Sequence, residues 1–257
     1  MVKVPGTVAQ AAAAFGLDIS VLRPLGGASG SSWDAGSRVL RVGHRARMDT
    51  ELAAATAAGG MLPVPRVLGR AEVDGTSAVL LERLPGQPAA DLARQRPSLA
   101  RAAGWACGGV YALLARVSRP AGVPPVRNAP SGLIGSDRAC VLHLDLHPFN
   151  VLVSGNAELT GVLDWANAAA GPPVLDRARS WAILTLDPAV RARRDQPGWR
   201  ALADAWAEAA ALRDMPAMAR AWACQFMLTD LARRYPRSDL RHVSEALARA
   251  EADTAAG

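Results

Sequence analysis

The chain has 257 residues and a net charge of +6, with half of its residues hydrophobic and a fifth charged. That length allows one large domain or two small lobes, and the composition excludes a disordered or fibrous chain. Only one of the 29 basic residues is a lysine, Lys3, so the charge reads first as arginine on solvated faces; a nucleic-acid partner, which needs a basic face or stripe, is not expected.

Thr7 can cap a short helix over 8–16. Residues 18–25 alternate loosely and run into the Gly/Ser stretch LGGASGSSW at 25–33. WDAG and SRVLRVG read as a hairpin around Ala35-Gly36. MDTELAAATAAGG is a helix closed by Gly59-Gly60. PVPRVLGRAEV and TSAVLLERL form a second hairpin around Asp74-Gly75. PGQP at 85–88 then breaks the chain, which sets the expected boundary: a β-rich lobe over 1–84 and a mainly helical lobe over 85–257.

The second part opens on a long helix over 97–118, with Trp105, Leu113 and Leu114 expected on its apolar stripe. A Pro-rich connector spans 119–130. CVLHLDL, NVLVSG and LTGVLDW are short strands separated by polar turns. From Val174 onward the pattern is helical, in segments of 173–186, 196–213, 215–235 and 238–254, with Trp181, Trp199, Trp206 and Trp222 packing the core. The fold class expected is α+β, with a small antiparallel sheet followed by a larger helical lobe.

Cys107, Cys140 and Cys224 lie far apart without a CxxC spacing. They read as buried small hydrophobes rather than a disulfide framework. No apolar run reaches the roughly 18 residues of a membrane span, and the Ala-rich start lacks the features of a signal peptide. The expectation is a soluble cytoplasmic protein without a membrane partner, a monomer or homodimer.

HLDLHPFN at 143–150 carries two chemistries. His143, Asp145 and His147 alternate, and on a strand they would share a face, as metal ligands of a hydrolase do. Alternatively, Asp145 followed by Asn150 has the spacing of a phosphoryl-transfer loop. Phosphoryl transfer needs a carboxylate near the acceptor hydroxyl, hard ligands for magnesium, a cation on the phosphates and a backbone cradle over them. Asp145 suits the first role. Asn150 and Asp164, at the two ends of a hairpin, suit magnesium. In the first lobe, Gly27, Ser29 and Ser31 lie in a loop through which the backbone can approach phosphate. Arg41 on the next strand offers a cation and Glu51 on the next helix can pair with it; the plain alternative is a surface ion pair worth under about 1 kcal/mol. Backbone groups from Glu82 to Leu84 can meet an adenine edge. A nucleotide-binding module without catalysis is the other reading, although such modules characteristically lack the base or a metal ligand.

These residues resemble the aminoglycoside phosphotransferase/choline kinase superfamily, which has a two-lobed protein-kinase-like fold. The family's His-Gly-Asp-Leu-His-Pro-Gly-Asn stands here as His143-Leu144-Asp145-Leu146-His147-Pro148-Phe149-Asn150. Its Ile-Asp-Trp/Phe stands as Leu163-Asp164-Trp165, and its later acidic element as GPPVLDRAR with Asp176. The resemblance implies Asp145 as the catalytic base, Asn150 and Asp164 as magnesium ligands, ATP as phosphoryl donor and a small hydroxylated acceptor. An antibiotic of the aminoglycoside type is the first acceptor class implied; choline, sugar or amino-alcohol acceptors are the alternative. Leu144 and Phe149 replace glycines, which should narrow the space near the acceptor. Arg41 takes a lysine position, and Pro172 stands where an aspartate is frequent. Residues 186–257 carry eleven arginines against ten acids, so the last helical region is not an acidic lobe; Asp204 and Glu208, one turn apart, form its local acidic pair.

Overall fold

The computed structural model describes residues 4–26, 31–133 and 139–256. Helix α1 (Gly6–Ala14) leads through a 3₁₀ turn into β1 (Arg23–Pro24), β2 (Ser32–Asp34) and β3 (Arg38–Gly43). Helix α2 (Arg45–Ala58) follows, then β4 (Val67–Val73) and β5 (Thr76–Glu82). These strands form one antiparallel sheet in the order β1-β2-β3-β5-β4. Asp74 and Gly75 turn the second hairpin with φ of +48° and +72°. That left-handed pair matches the natural twist of the strands, which is why Asp-Gly serves there.

Strand alternation sorts the sheet's side chains onto two faces. Trp33, Leu40, Ala78 and Leu80 pack with Val8, Ala11 and Ala12 of α1. Val79 and Leu81 pack on the other face with Met48 and Leu52 of α2. Arg41 stands opposite Val79 in the register, so it belongs to the α2 face.

The second part runs β6 (Gln87–Pro88), α3 (Ala89–Gln95), α4 (Ala100–Leu114), β7 (Cys140–Leu142), β8 (Val151–Val153), β9 (Leu159–Val162) and β10 (Ala169–Gly171). It ends in α5 (Pro173–Leu186), α6 (Pro188–Arg191), α7 (Trp199–Ala209), α8 (Ala217–Leu231) and α9 (Arg241–Ala256). β6, β8 and β9 form one small sheet and β7 pairs with β10 in another. The α+β expectation holds, with a small antiparallel sheet preceding a mainly helical part. Trp199, Trp206 and Trp222 are buried in that part and Trp181 is packed against its core. Cys107, Cys140 and Cys224 are all buried. Among the described residues no helix is long and apolar enough to cross a membrane.

Several boundaries differ from expectation. α1 starts at Gly6 behind Pro5, so Thr7 lies inside the helix rather than capping it. The helix expected over 97–118 is shorter: Pro97 opens a 3₁₀ turn and α4 starts only at Ala100, while the unexpected α3 precedes it. Trp105 is 45 % exposed and does not lie on the buried stripe. The buried face of α4 is instead Ala103, Gly104, Cys107, Gly108, Tyr111 and Leu114. Its glycines let α7 approach closely: a Cβ on Gly104 would stand 2.3 Å from the Leu202 carbonyl oxygen, and one on Gly108 2.5 Å from Ala209 Cβ. β10 and α6 were also not anticipated; both are only three or four residues long.

The same helix holds a matched control, because a Cβ on Gly109 would meet nothing within 4 Å. Gly104→Ala is expected to destabilise the chain by about 1–3 kcal/mol through overpacking. Gly109→Ala should instead stabilise it by about 0.5–1 kcal/mol through helix propensity. Thermal unfolding checks both, at roughly 2–4 °C for each kcal/mol in a chain of this size; equal melting temperatures for the two variants would refute the packing account.

Candidate active site

β7 ends at Leu142 and β8 begins at Val151, so the segment 143–150 crosses between two sheets. Its backbone is gripped from below by α5. Asp176, in the first turn of that helix, accepts from the backbone N–H groups of His143 (3.0 Å) and Leu144 (2.7 Å). Arg179 donates through Nε to the Leu144 carbonyl at 3.2 Å, and Ser180 Oγ donates to the Leu146 carbonyl at 2.8 Å. Tyr111 from α4 bonds Ser180 in turn. Asp176, Arg179 and Ser180 are each at most 2 % exposed. Burial raises the Asp176 carboxyl above its ordinary pKa, against the pull of His143, the two N–H groups and Arg179. Burial lowers the Arg179 pKa, opposed chiefly by Asp145 and then Asp230.

This grip holds a strained residue. Leu144 has φ of +62°, a conformation that costs a side-chain-bearing residue of order 1–3 kcal/mol unless its surroundings fix it. It is fixed at its N–H, its carbonyl and its fully buried side chain, which packs into the helical core. The glycine-to-leucine departure at 144 therefore does not narrow the cleft, contrary to expectation. The departure at Phe149 does, because that ring lines it.

His143 is entirely buried. Its Nδ1 accepts from the Asp145 N–H at 3.3 Å, which leaves Nε2 to donate to the Leu163 carbonyl at 2.9 Å. Its ring packs against Trp165, tilted by 52° with centroids 4.7 Å apart. Both ring nitrogens are thus occupied by protein. Among the described residues no group of three His, Cys, Asp or Glu could hold a metal ion, so the His143-Asp145-His147 ligand reading fails. His147 lies beside Asp145, with 4.0 Å between Nε2 and the nearer carboxylate oxygen. Burial pushes its imidazole pKa below the ordinary 6.5, outweighing the attraction of Asp145.

The hairpin β8–β9 brings its two ends together. Leu163 N–H donates to the Asn150 carbonyl at 2.8 Å, one residue short of Asp164. Asn150 donates through Nδ2 to the Asp145 carbonyl at 2.9 Å. That bond orients the amide so that Oδ1 remains as an acceptor. Asp164 adopts φ of +60° and its side chain is 44 % exposed. Across the cleft, Arg41 Nη1 meets Glu51 Oε1 at 2.8 Å and Asp164 Oδ1 at 3.5 Å. The Arg41 and Glu51 side chains are 12 % and 7 % exposed, so this is not a surface ion pair. Burial raises the Glu51 pKa against the opposing effect of Arg41. Arg41 Nε is sealed from solvent and has no partner among the described residues.

A cleft of about 1000 Å³ collects these groups; Ser31, Arg41, Glu51, Asp145, Asn150 and Asp164 all line it. Gly27 and Ser29 lie outside the described residues. Glu82 and Leu84 line the cleft near the crossing between the lobes. The Glu82 N–H is engaged by the Arg66 carbonyl (2.9 Å) and the Arg83 N–H by that of Ser37 (3.2 Å). The Glu82 carboxylate is held by Arg66 at 2.7 Å, which keeps its pKa low. The free N–H of that stretch is Leu84's, which has no partner among the described residues. Asp204 and Glu208 lie away from the cleft, paired with Arg213 and Arg101 on the surface. Arg179 and Ser180 were missed from the sequence. The available signal was a charged residue set among Leu175, Ala178, Ala182 and Ile183 on the apolar face of a helix.

The structure resembles several solved ones. The gentamicin complex of the aminoglycoside phosphotransferase APH(2'')-IIa superposes with a TM-score of 0.63 at 12 % identity, covering 98 % of this chain and 96 % of that one. APH(3'')-Id from Streptomyces rimosus, bound to ADP and streptomycin, gives 0.57 at 15 % identity over 95 % and 99 %. A putative fructosamine-3-kinase from Haemophilus somnus gives 0.56 at 13 % identity over 95 % and 96 %. At such identities the likeness establishes the protein-kinase-like fold. No curated protein matches the chain. The sequence itself matches the phosphotransferase enzyme family (APH) over residues 21–133 and 126–219. With most of its length matched and its cleft residues gathered at one place, the chain belongs to the phosphotransferase enzyme family.

Proposed function

We propose that the chain is an ATP- and magnesium-dependent O-phosphotransferase acting on a small hydroxylated molecule. The observation that carries this reading is the buried Arg41, held by Glu51 on one side and reaching Asp164 on the other, in the same cleft as Asp145 and Asn150. A cation with an unpartnered Nε, sealed in a cleft beside carboxylates, suits a polyphosphate that it can bind through two N–H groups. In this reading residues 1–84 form the nucleotide lobe and 85–257 the catalytic and acceptor lobe. The Leu84 N–H is the group offered to an adenine edge, and Ser31 is the described residue of the Gly/Ser stretch offered to the phosphates.

Asp145 accepts the proton of the acceptor hydroxyl as its oxygen bonds the γ-phosphorus. The bond from that phosphorus to the β–γ bridging oxygen breaks, and ADP leaves. General-base help of this kind is worth about 10²–10⁴-fold; positioning supplies the rest. The free Oδ1 of Asn150 and the exposed carboxylate of Asp164 are hard oxygen donors of the type magnesium takes. Bound there, magnesium would neutralise charge on the β- and γ-phosphates.

The aminoglycosides named with the structural neighbours make an antibiotic of that type the first acceptor class to test. The fructosamine-kinase neighbour supports a sugar-type or amino-alcohol acceptor as the second reading.

Asp145→Ala should lower magnesium-dependent ADP release by at least about 10²-fold while leaving ATP affinity nearly intact. Asp164→Ala should instead weaken magnesium-nucleotide binding; full turnover in the first variant would sink the assignment. Asp176→Ala leaves two buried N–H groups unpaired, so it should lose about 2–5 kcal/mol of stability, seen by chemical denaturation. His147 gives the pH dependence. Its folded pKa is lowered, so the unfolded chain takes up its proton first as pH falls below about 6.5, and stability is lost from that point down to the folded value. His147→Gln should flatten this decline in melting temperature; an unchanged slope would count against a lowered folded-state pKa at His147.

A further inference from the structure

The half of the cleft away from Arg41 is built by α5, α8 and the turns that follow them. Arg179, Asp187, Asp230 and Arg234 are its charged members. Their carboxylates are largely spoken for. Asp187 Oδ1 accepts from the backbone N–H groups of Ala189 (2.8 Å) and Val190 (3.1 Å), starting α6. Asp230 Oδ2 accepts from Arg234 Nη2 at 3.3 Å and lies 3.9 Å from Arg179 Nη2. The imidazole pKa of His147 beside them is lowered by desolvation, against the attraction of Asp145. Both guanidinium groups thus lie against Asp230, Asp187 is tied to the start of α6, and Asp145 is left for the reacting hydroxyl. The other acidic pair of the helical part, Asp204 and Glu208, is outside the cleft.

Arg179 has a second property. Its residue is 1 % exposed, its Nε is on the Leu144 carbonyl, its guanidinium lies over Phe226 at 4.2 Å, and its Nη1 is sealed from solvent without a partner among the described residues. A buried guanidinium N–H without an acceptor is costly, unless a ligand oxygen completes it. The groups lining the rest of this end are apolar, with Phe149, Ile183, Met227 and Leu231 among them.

We propose that this end recognises its acceptor through oxygen, one oxygen of the molecule accepting from Arg179 Nη1, and that the portion entering the cleft is neutral or anionic rather than polycationic. The inference rests on the phosphotransferase reading and narrows its acceptor class. Sugar hydroxyls or a carboxylate meet the guanidinium directly, and an apolar ring face covers Phe149 and Ile183. A molecule with several ammonium groups meets two guanidinium groups for the two carboxylates it seeks. Any ammonium it carries belongs outside the cleft.

The test is calorimetric titration of the full chain, first with magnesium-ATP and then with gentamicin as a polycationic probe, beside ADP-release kinetics over a panel of neutral and acidic hydroxylated compounds. Gentamicin should bind the wild type weakly. Arg234→Gln, at a half-exposed site that tolerates substitution, uncovers Asp230 and should tighten gentamicin at least tenfold. For the best acceptor of the panel, Arg179→Lys should raise KM at least tenfold and lower kcat as well, because the Nε bond to the Leu144 carbonyl is lost with it; an unchanged KM in a folded variant overturns the role given to Nη1. Micromolar gentamicin binding by the wild type, or no gain in Arg234→Gln, overturns the acceptor inference and leaves the phosphotransferase reading standing. Failure of the wild type to bind magnesium-ATP overturns both.

Discussion

The carboxylate of Asp176 is the constraint on which the site depends. It lies in the first turn of α5, where the helix dipole favours negative charge, and two backbone N–H groups of the 143–150 segment end on it. Burying a charged or polar group is costly unless it is hydrogen-bonded, so helix and segment are held to one relative placement. From that placement follow the left-handed Leu144, the orientation of Asp145 toward the cleft and the seat of Arg179 beneath it. The His143 ring then ties the segment to the Leu163 carbonyl and so to the residue before Asp164. One buried carboxylate thereby sets the spacing between groups that the sequence separates by nearly twenty residues.

The first lobe supplies its part through a different device. Arg41 stands on the same face of the sheet as Val79 and Leu81, and α2 covers that face. Glu51, buried within α2, gives the guanidinium a fixed partner, and the same Nη1 reaches across the cleft to Asp164. Position is determined here by packing: the strand register decides which face Arg41 takes, and Met48 and Leu52 decide where the helix carrying Glu51 rests.

Local features were legible in the sequence. The Asp74-Gly75 hairpin follows from backbone sterics, and the Asp145–Asn150–Asp164 order follows from a strand–loop–hairpin that keeps these residues near one another. The Arg41–Glu51 pairing could be anticipated from strand and helix order, but its burial could not, since that depends on α2 lying flat on the sheet. What stayed illegible depends on distant partners. The grip on Leu144 comes from residues more than thirty positions later, so the leucine read as a bulky obstacle when it is a buried anchor. The face of α4 was misread because its contact with α7 is made by glycine, alanine and cysteine, which give a weak periodic signal, while Trp105 gives a strong one and faces solvent. At Glu82 the residue was placed in the cleft, but its N–H had already been taken by Arg66 of the neighbouring segment, and Leu84 holds the free donor.

The arginine at 41 also sets how the protein can be handled chemically. The sole lysine of the chain is Lys3, and none of the described residues lining the cleft carries a side-chain primary amine. A guanidinium does not acylate or form an imine under conditions that modify a lysine. Amine-directed reagents therefore have no side-chain target among the described residues of this cleft.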